Sequence, residues 1–443
     1  MKPALFVVAA ALAVALLGTS ESRSARPEQA QKPPAAVLGI SYRPYGSSSV
    51  ATLAWFDPLT LESLPGRKAP LGTVRGSWSF SADRRVFAIG SCGDTWRPRL
   101  RFVNARVMRV LGDVRLPSGY ECAGALSWLS PSRLLTVVTG ESSSAVAVVD
   151  PAARRLLRLT KLPGSPWSTG VAGDQLVLLF GGQDVFAPAR IGIVDTEGRL
   201  RTVTVDEVRI GSIVDDSSGD HHARTISPGF AVDPEGRRAF LVPAAGRIAE
   251  VDLRTLDVDY HELDRPSLLG RLARWLEPSA QAKVMEGPVR EARWLGDGLL
   301  AVSGSDYSYS KNQAGEYQVS QKPVGVKLVD TRSWRSRMLS RGSNAFAVTS
   351  GLVIAQGGEW DSARERTIGP GILAFGLDGA MRWKLTSSSW LDPVGSFGIG
   401  YLWRSETRMD VIDLATGAIL RSLDRRNDTN PWPQLLAAQS SGW

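Results

Sequence analysis

The chain has 443 residues, of which 43% are hydrophobic and 22% charged, a balance that supports a folded core and excludes a disordered or coiled-coil chain. Only two cysteines are present, which excludes a disulfide-dense scaffold, and the 44 Gly and 26 Pro follow no collagen-like period. The net charge of +8 comes from scattered residues, mostly Arg, without the basic face interleaved with aromatics that nucleic acid requires, so no nucleic-acid partner is expected.

Met1 and Lys2 precede an apolar run from Ala4 to Leu17, followed by Gly18, Thr19, Ser20, Glu21 and Ser22. This is the three-part form of a secretory signal peptide, expected over 1–25. The run is shorter than the roughly 20 residues of a spanning helix, and no later stretch is a better candidate, so no transmembrane segment is expected after signal removal. An uncleaved N-terminal anchor is the competing reading, and the thiol of a lipoprotein anchor is missing from the end of the run. Residues 26–36, with Arg26-Pro27-Glu28-Gln29 and Lys32-Pro33-Pro34, read as a flexible tail. The expected location is extracytoplasmic, either secreted or at the cell envelope.

From residue 37 onward one unit recurs about every 45 residues: an apolar strand ending in Asp or Asn, a short turn, and a return strand. Its markers are Asp57, Asn104, Asp150, Asp195, Asp252, Asp330, Asp378 and Asp413, preceded by runs such as Val146-Ala147-Val148-Val149 and Ile191-Gly192-Ile193-Val194. Alternation before the acid and Thr/Gly residues after it are hairpin chemistry, with an Asx-type turn at the corner. Between markers lies a second pair of strands, as in Ala231-Val232-Asp233 before Ala239-Phe240-Leu241-Val242 and Trp78-Ser79-Phe80 before Val86-Phe87-Ala88-Ile89. Four strands per unit at this period predict an all-β fold, a single β-propeller over 37–443 with four antiparallel strands per blade. Eight markers predict eight blades, with seven as the alternative if one hairpin is peripheral; a double β-sandwich is the competing fold. The first unit lacks an innermost strand, which the segment at Trp432 to Ala438 would supply.

Cys92 and Cys122 form one disulfide if the chain is exported, or two buried thiols otherwise. In a propeller the connections between second and third strands and those between blades share one face. The long insertions (93–98, 181–188, 206–227, 263–288, 304–323 and 357–370) all fall in that class, so one face is elaborated. Several open with Gly, an acid and an aromatic. Asp94, Trp96, Asp184, Phe186, Asp306, Tyr307, Tyr309, Glu359 and Trp360 are therefore the candidate ligand-binding residues, suited to an extracellular glycan, peptide or protein. The competing reading is turn chemistry and ring packing over blade edges. Leu268, Leu269, Leu272, Trp275 and Leu276 follow helical spacing and predict one short helical insertion.

Asp215, Asp216, Asp220, His221 and His222 are weak metal candidates; their spacing matches neither a zinc signature nor the calcium loop with Glu at its twelfth position. No cofactor is expected, calcium being the one alternative. The only other histidine is His261, and no Gly-x-Ser-x-Gly elbow accompanies the three. Catalysis by face carboxylates (Asp94, Asp184, Asp306, Glu359) is the alternative to a non-catalytic binding role. A monomer is expected.

The segments Leu377-Asp378-Gly379-Ala380-Met381-Arg382-Trp383 and Asp413-Leu414-Ala415-Thr416-Gly417-Ala418-Ile419 resemble the strand-turn-strand repeat of quinoprotein-like and related exported bacterial β-propeller proteins, an uncharacterised family. The resemblance implies a seven- or eight-bladed ring, and a degenerate oxidoreductase as one form of the enzymatic alternative. Quinoprotein enzymes of that superfamily carry a vicinal cysteine pair over their cofactor. Cys92 and Cys122 are not vicinal, so the cofactor does not carry over.

Overall fold

The computed structural model describes residues 36–439 except 46–47, 73–75, 93–97, 182–185, 216–221, 264–286, 312–316, 350, 362–365, 388, 394–397 and 426–431. Among the described residues every regular element is a β-strand, and no helix is long and apolar enough to cross a membrane. The predicted helical insertion lies outside the described residues.

The strands form eight four-stranded antiparallel blades in a ring. From the innermost strand outward, blade 2 is Trp78–Phe80, Val86–Gly90, Arg99–Asn104 and Arg109–Arg115; blade 3 is Cys122–Ser130, Arg133–Thr139, Ser144–Asp150 and Arg155–Lys161. Blade 4 is Pro166–Ala172, Gln175–Phe180, Ala187–Val194 and Leu200–Asp215; blade 5 is Gly229–Asp233, Arg238–Val242, Ile248–Asp252 and Val258–His261. Blade 6 is Pro288–Gly296, Leu299–Lys311, Val326–Asp330 and Arg335–Ser340; blade 7 is Ala345–Thr349, Leu352–Gln356, Ile372–Gly376 and Met381–Leu385. Blade 8 is Trp390–Pro393, Ile399–Trp403, Arg408–Asp413 and Ile419–Asp424. Blade 1 closes the ring: its innermost strand is Gln434–Gln439, paired with Ala36–Tyr45, Ser48–Phe56 and Ser63–Gly72, as the missing strand of the first unit requires.

Each marker residue sits at the end of the third strand of its blade. The carboxylate of Asp150 accepts the backbone N–H groups of Ala152 and Ala153, at 3.0 and 2.9 Å; Asp57, Asp252 and Asp413 do the same for the residues two and three positions on, and Asn104 uses its amide oxygen. This is the Asx turn inferred from the sequence. Four residues after most markers the backbone turns left-handed, at Leu61, Met108, Arg154, Leu256, Trp334 and Gly417.

Alternation along each strand buries both faces, because each face meets a different neighbour. In blade 3, Ala145, Ala147 and Val149 pack with Leu100 and Phe102 of blade 2, while Val146 and Val148 pack with Leu176, Leu178 and Phe180 of blade 4. Side chains also tie neighbouring blades through backbone carbonyls: Arg101 to Leu71, Thr160 to Gly198, Arg201 to Leu253, Trp383 to Leu414 and Tyr401 to Pro58. Burial pushes the Tyr401 hydroxyl well above the usual phenol range, so it stays a donor.

Cys92 and Cys122 are disulfide-bonded. Cys92 follows the second strand of blade 2 and Cys122 opens the innermost strand of blade 3, so the bridge staples two blades beside the bond from Ala123 N–H to Ser91 O at 2.8 Å. The blades approach so closely here that a Cβ on Gly90 would collide with the Ala123 carbonyl. Closing a loop of 30 residues, the bridge contributes about 3–4 kcal/mol by restricting the unfolded chain.

Candidate functional site

Much of what reads as long loops is β-structure standing on one face. In blade 6 the second strand runs on to Lys311 and returns as Tyr317–Pro323; in blade 7 Glu359–Asp361 pairs with Arg366–Ile368; in blade 4 the outermost strand runs on to Asp215 and returns as His222–Ile226. Insertions 206–227, 304–323 and 357–370 are therefore largely hairpins, projecting from the face that second-to-third and inter-blade connections share. The returning strand of the blade 6 hairpin packs beside Glu359–Asp361 of the blade 7 hairpin. The blade 4 hairpin is tied to blade 6 by Ser227 N–H to Pro288 O at 3.0 Å and Arg290 N–H to Ser227 O at 2.7 Å.

A polar network joins the hairpins of blades 6 and 7. Gln321 Nε2 donates to Ser305 Oγ at 2.9 Å and to the Tyr307 hydroxyl at 3.1 Å. Asn344 Nδ2 donates to Ser305 Oγ at 3.1 Å, and Asn344 Oδ1 accepts Gly358 N–H at 3.0 Å. Burial raises the Tyr307 pKa, with hydrogen bonds to Ser305 and Gln321 acting against it. Asp306 is held by the guanidinium of Arg290 at 2.7 Å, and the Arg290 side chain, buried, also donates to Ser305 O at 3.0 Å. Tyr307 and Asp306 thus brace the base of the hairpin.

Glu359 and Trp360 stand on the blade 7 hairpin, both exposed, Trp360 by 41%. Trp390, which opens the innermost strand of blade 8, is also 41% exposed, and its ring lies at the hairpin neck, 3.6 Å from where a Cβ on Gly357 would stand. The Asp392 carboxylate accepts Trp403 Nε1 at 2.7 Å and has the Trp390 indole as its second hydrogen-bonding neighbour. Desolvation raises the Asp392 pKa against these two bonds. Phe186 is half-buried beside the start of Ala187–Val194. Asp94, Trp96 and Asp184 lie outside the described residues, as do Asp216, Asp220 and His221 of the metal candidates; Tyr309, Asp215 and His222 are placed by backbone alone, with Asp215 opposite His222 and Tyr309 opposite Val319.

The channel wall holds charged residues that belong to no motif of the sequence. Among the described inner-strand residues, charge is confined to blades 6 and 8, apart from Asp233, which is bonded into a turn. Glu291 and Arg293 project from one side of Pro288–Gly296, while Ala292 and Trp294 pack the other side against blade 5. Glu291 is exposed on that side, and desolvation lifts its pKa from 4.5 to about 6, with Arg293 pulling the other way. Desolvation lowers the Arg293 pKa.

The raised value means the folded state takes up a proton before the unfolded state as pH falls. The cost of ionised Glu291 is then fully present above about pH 6 and absent below about pH 4.5. Glu291→Gln should be more stable than the parent at about pH 8, by no more than about 1 kcal/mol because channel water screens the charge. Urea midpoints across the pH range check this, and the difference should vanish by about pH 4. A variant less stable at every pH would show that the carboxylate is satisfied.

No protein-family model matches the sequence, and no curated protein matches it. Among solved structures, the dihydro-heme d1 dehydrogenase NirN matches with a TM-score of 0.53 at 12% identity, over 93% of this chain and 77% of that one. BamB from Moraxella catarrhalis matches over 87% of this chain and 98% of that one, at 11% identity and a TM-score of 0.42. The β-propeller domain of the Trilobed protease from Pyrococcus furiosus matches over 81% of this chain and 96% of that one, at 11% identity and a TM-score of 0.40. At these identities the likeness to NirN shows the fold alone, so the quinoprotein-like resemblance holds as a shared β-propeller architecture.

Proposed function

We propose that this chain is an exported, non-catalytic β-propeller that binds an extracytoplasmic ligand, a glycan or a protein partner, through its elaborated face. The observation that carries the reading is the pair of exposed indoles, Trp360 and Trp390, beside interlocked hairpins on that one face. Large rings held by a rigid scaffold offer contact area at little cost in ordering, and polar groups around them supply direction. Glu359 supplies an acceptor at the rim. The disulfide supports an oxidising compartment, in line with the signal-like N-terminus.

The binding reading requires no cofactor. His261 stacks on Trp334 with centroids 3.8 Å apart and has its Nε2 3.0 Å from the Glu250 carboxylate, and Asp306 is engaged by Arg290. Neither is free to act as a general base. The chain acts as a monomer in this reading.

An array of oligosaccharides and peptides, followed by titration calorimetry on any that bind, tests it. The double variant Trp360→Ser/Trp390→Ser should melt close to the parent and lose binding by tenfold or more, as expected for two exposed anchors. Undiminished binding in a folded double variant would place the ligand elsewhere.

A further inference from the structure

The turns between first and second strands and between third and fourth strands stand on the face opposite the projecting hairpins. On blades 2 and 3 they gather arginines that the sequence scatters. In blade 2, Ala105 N–H donates to Arg85 O at 2.8 Å, which sets Arg85 beside Arg106, and Arg109 opens the outer strand just beyond. In blade 3 the turn after Asp150 carries Arg154 and leads into Arg155, and Arg154 reaches back to donate to Leu111 O on the outer strand of blade 2. These five arginines are exposed. The acids among them are engaged: Asp150 accepts the N–H groups of Ala152 and Ala153, and Asp83 accepts the Ser81 hydroxyl at 2.6 Å and lies 3.6 Å from Arg85. On blades 4 and 5 the same turns carry acid and base together, Glu197 with Arg199 and Asp257 with Arg254, and no such excess forms.

A second observation is apolar. Val107, between Arg106 and Arg109, is 63% exposed, more than any other large hydrophobic side chain among the described residues. The turn that presents it is fixed, because the Asn104 amide oxygen accepts the N–H groups of Arg106 and Val107 while Ala105 and Met108 on either side are buried. Ala36, the first described residue, lies in the same core cluster as Ala105 and Met108, and Val37 pairs with Phe56, next to the marker Asp57. The chain therefore enters the ring on this face and close to Val107, so a bilayer holding the apolar run Ala4 to Leu17 would meet this side of the ring.

We propose that the turn face of blades 2 and 3 docks on the surface of an anionic bilayer, its arginines on lipid phosphates and Val107 at the boundary between headgroups and acyl chains. Guanidinium groups donate bidentately to phosphate, and each basic residue near an anionic leaflet adds to the attraction. The disulfide and the bond from Arg154 to Leu111 hold the two blades as one sector, so the charges are presented together. A soluble acidic polymer would meet the arginines but offer Val107 no apolar phase. The docked ring turns its hairpin face away from the membrane, and the docking does not depend on what that face binds.

Co-sedimentation of the full chain with vesicles of phosphatidylcholine alone, and of an equimolar mixture with phosphatidylglycerol, tests the proposal. At low salt the mixed vesicles should be preferred by about 100-fold or more, and the preference should shrink as salt rises. Arg106→Gln/Arg109→Gln/Arg155→Gln should cut it by about 10- to 100-fold. Arg254→Gln/Arg332→Gln/Arg335→Gln removes the same charge from the turns of blades 5 and 6 and should change it by less than about threefold. Val107→Ser should weaken binding to mixed vesicles by about three- to tenfold and leave any binding to soluble alginate unchanged. Every altered side chain is exposed, so each variant should melt close to the parent. No preference for mixed vesicles, equal losses in the two triple variants, or vesicle binding that Val107→Ser leaves intact and alginate matches would overturn the proposal.

Discussion

Removing residues 432–443 should open the ring and abolish a single cooperative unfolding transition. The strand Gln434–Gln439 pairs with the first strand of the chain from Ala36↔Gln439 to Ile40↔Gln434, so two ends almost 400 residues apart complete one blade. Without it, Ala36–Tyr45, whose Val37, Leu38 and Ile40 are buried, becomes a bare sheet edge along the channel. Leu436 also leaves a core cluster shared with Leu53 of blade 1 and Phe87 and Ile89 of blade 2. Trp432 leaves its bond to Glu406 O at 2.9 Å and the Arg425 guanidinium 4.4 Å above its ring.

Lost ladder bonds, a cavity at Leu436 and the missing ring closure together cost on the order of 5 kcal/mol or more. Calorimetry should show a broadened, lowered transition, and hydrogen exchange should rise first in blades 1 and 8. Because Gln439 lies opposite Ala36, a permuted chain with Gln434–Gln439 fused ahead of Ala36 through a tight turn should restore the transition. A truncated chain that melts like the parent would mean that closure does not rest on this strand.

The ring was legible in the sequence because an acid or Asn closes the third strand eight times. Its side-chain oxygen accepts backbone N–H groups of the turn that follows, two of them in most blades and one at Asp378, so the eight markers count the eight blades. What blurred the repeat is the left-handed position that follows. Gly417 fills it in blade 8, but Leu61, Met108, Arg154, Leu256 and Trp334 fill it elsewhere, so the turn persists where its usual residue does not. The inner pairs of blades 4 and 8 were harder to see. Pro166–Ala172 holds small polar residues that a channel edge tolerates, and Trp390–Pro393 is only four residues long.

The projecting hairpins look like loops in the sequence because polar residues dominate them, although Asp306-Tyr307-Ser308-Tyr309-Ser310 alternates as a strand does. Glu359 and Trp360 were visible as an acid and an aromatic at a loop start. Trp390 was not, since nothing in its short connection separates an exposed ring from a packed one. Glu291 and Arg293 were hidden for a different reason: on any outer strand such residues would face bulk water, and only their place on an innermost strand makes them unusual.

Replacing Asp233 with Ala should destabilise blade 5 by about 2–4 kcal/mol. Its side chain is 4% exposed and accepts the backbone N–H groups of Glu235 and Gly236, at 3.1 and 2.9 Å, together with Arg238 Nη2 at 2.9 Å. Arg238 also donates to Glu250 at 3.1 Å, and its guanidinium lies 5.5 Å from the Phe240 ring and 5.6 Å from the Trp294 ring of blade 6. Burial works against the Arg238 charge, but its bonds to Asp233 and Glu250 outweigh that and raise its pKa. Losing Asp233 therefore frees two turn donors and leaves a partly buried cation one partner short, at the junction that positions the inner strand of blade 6. Asp233→Asn keeps an acceptor for the turn and loses only the charge, so its cost should be about half as large. Urea midpoints should fall in the order parent, Asn, Ala with the slope unchanged. Equal losses in the two variants would assign the whole effect to the ion pair, and no loss in either would show that the turn holds without its carboxylate.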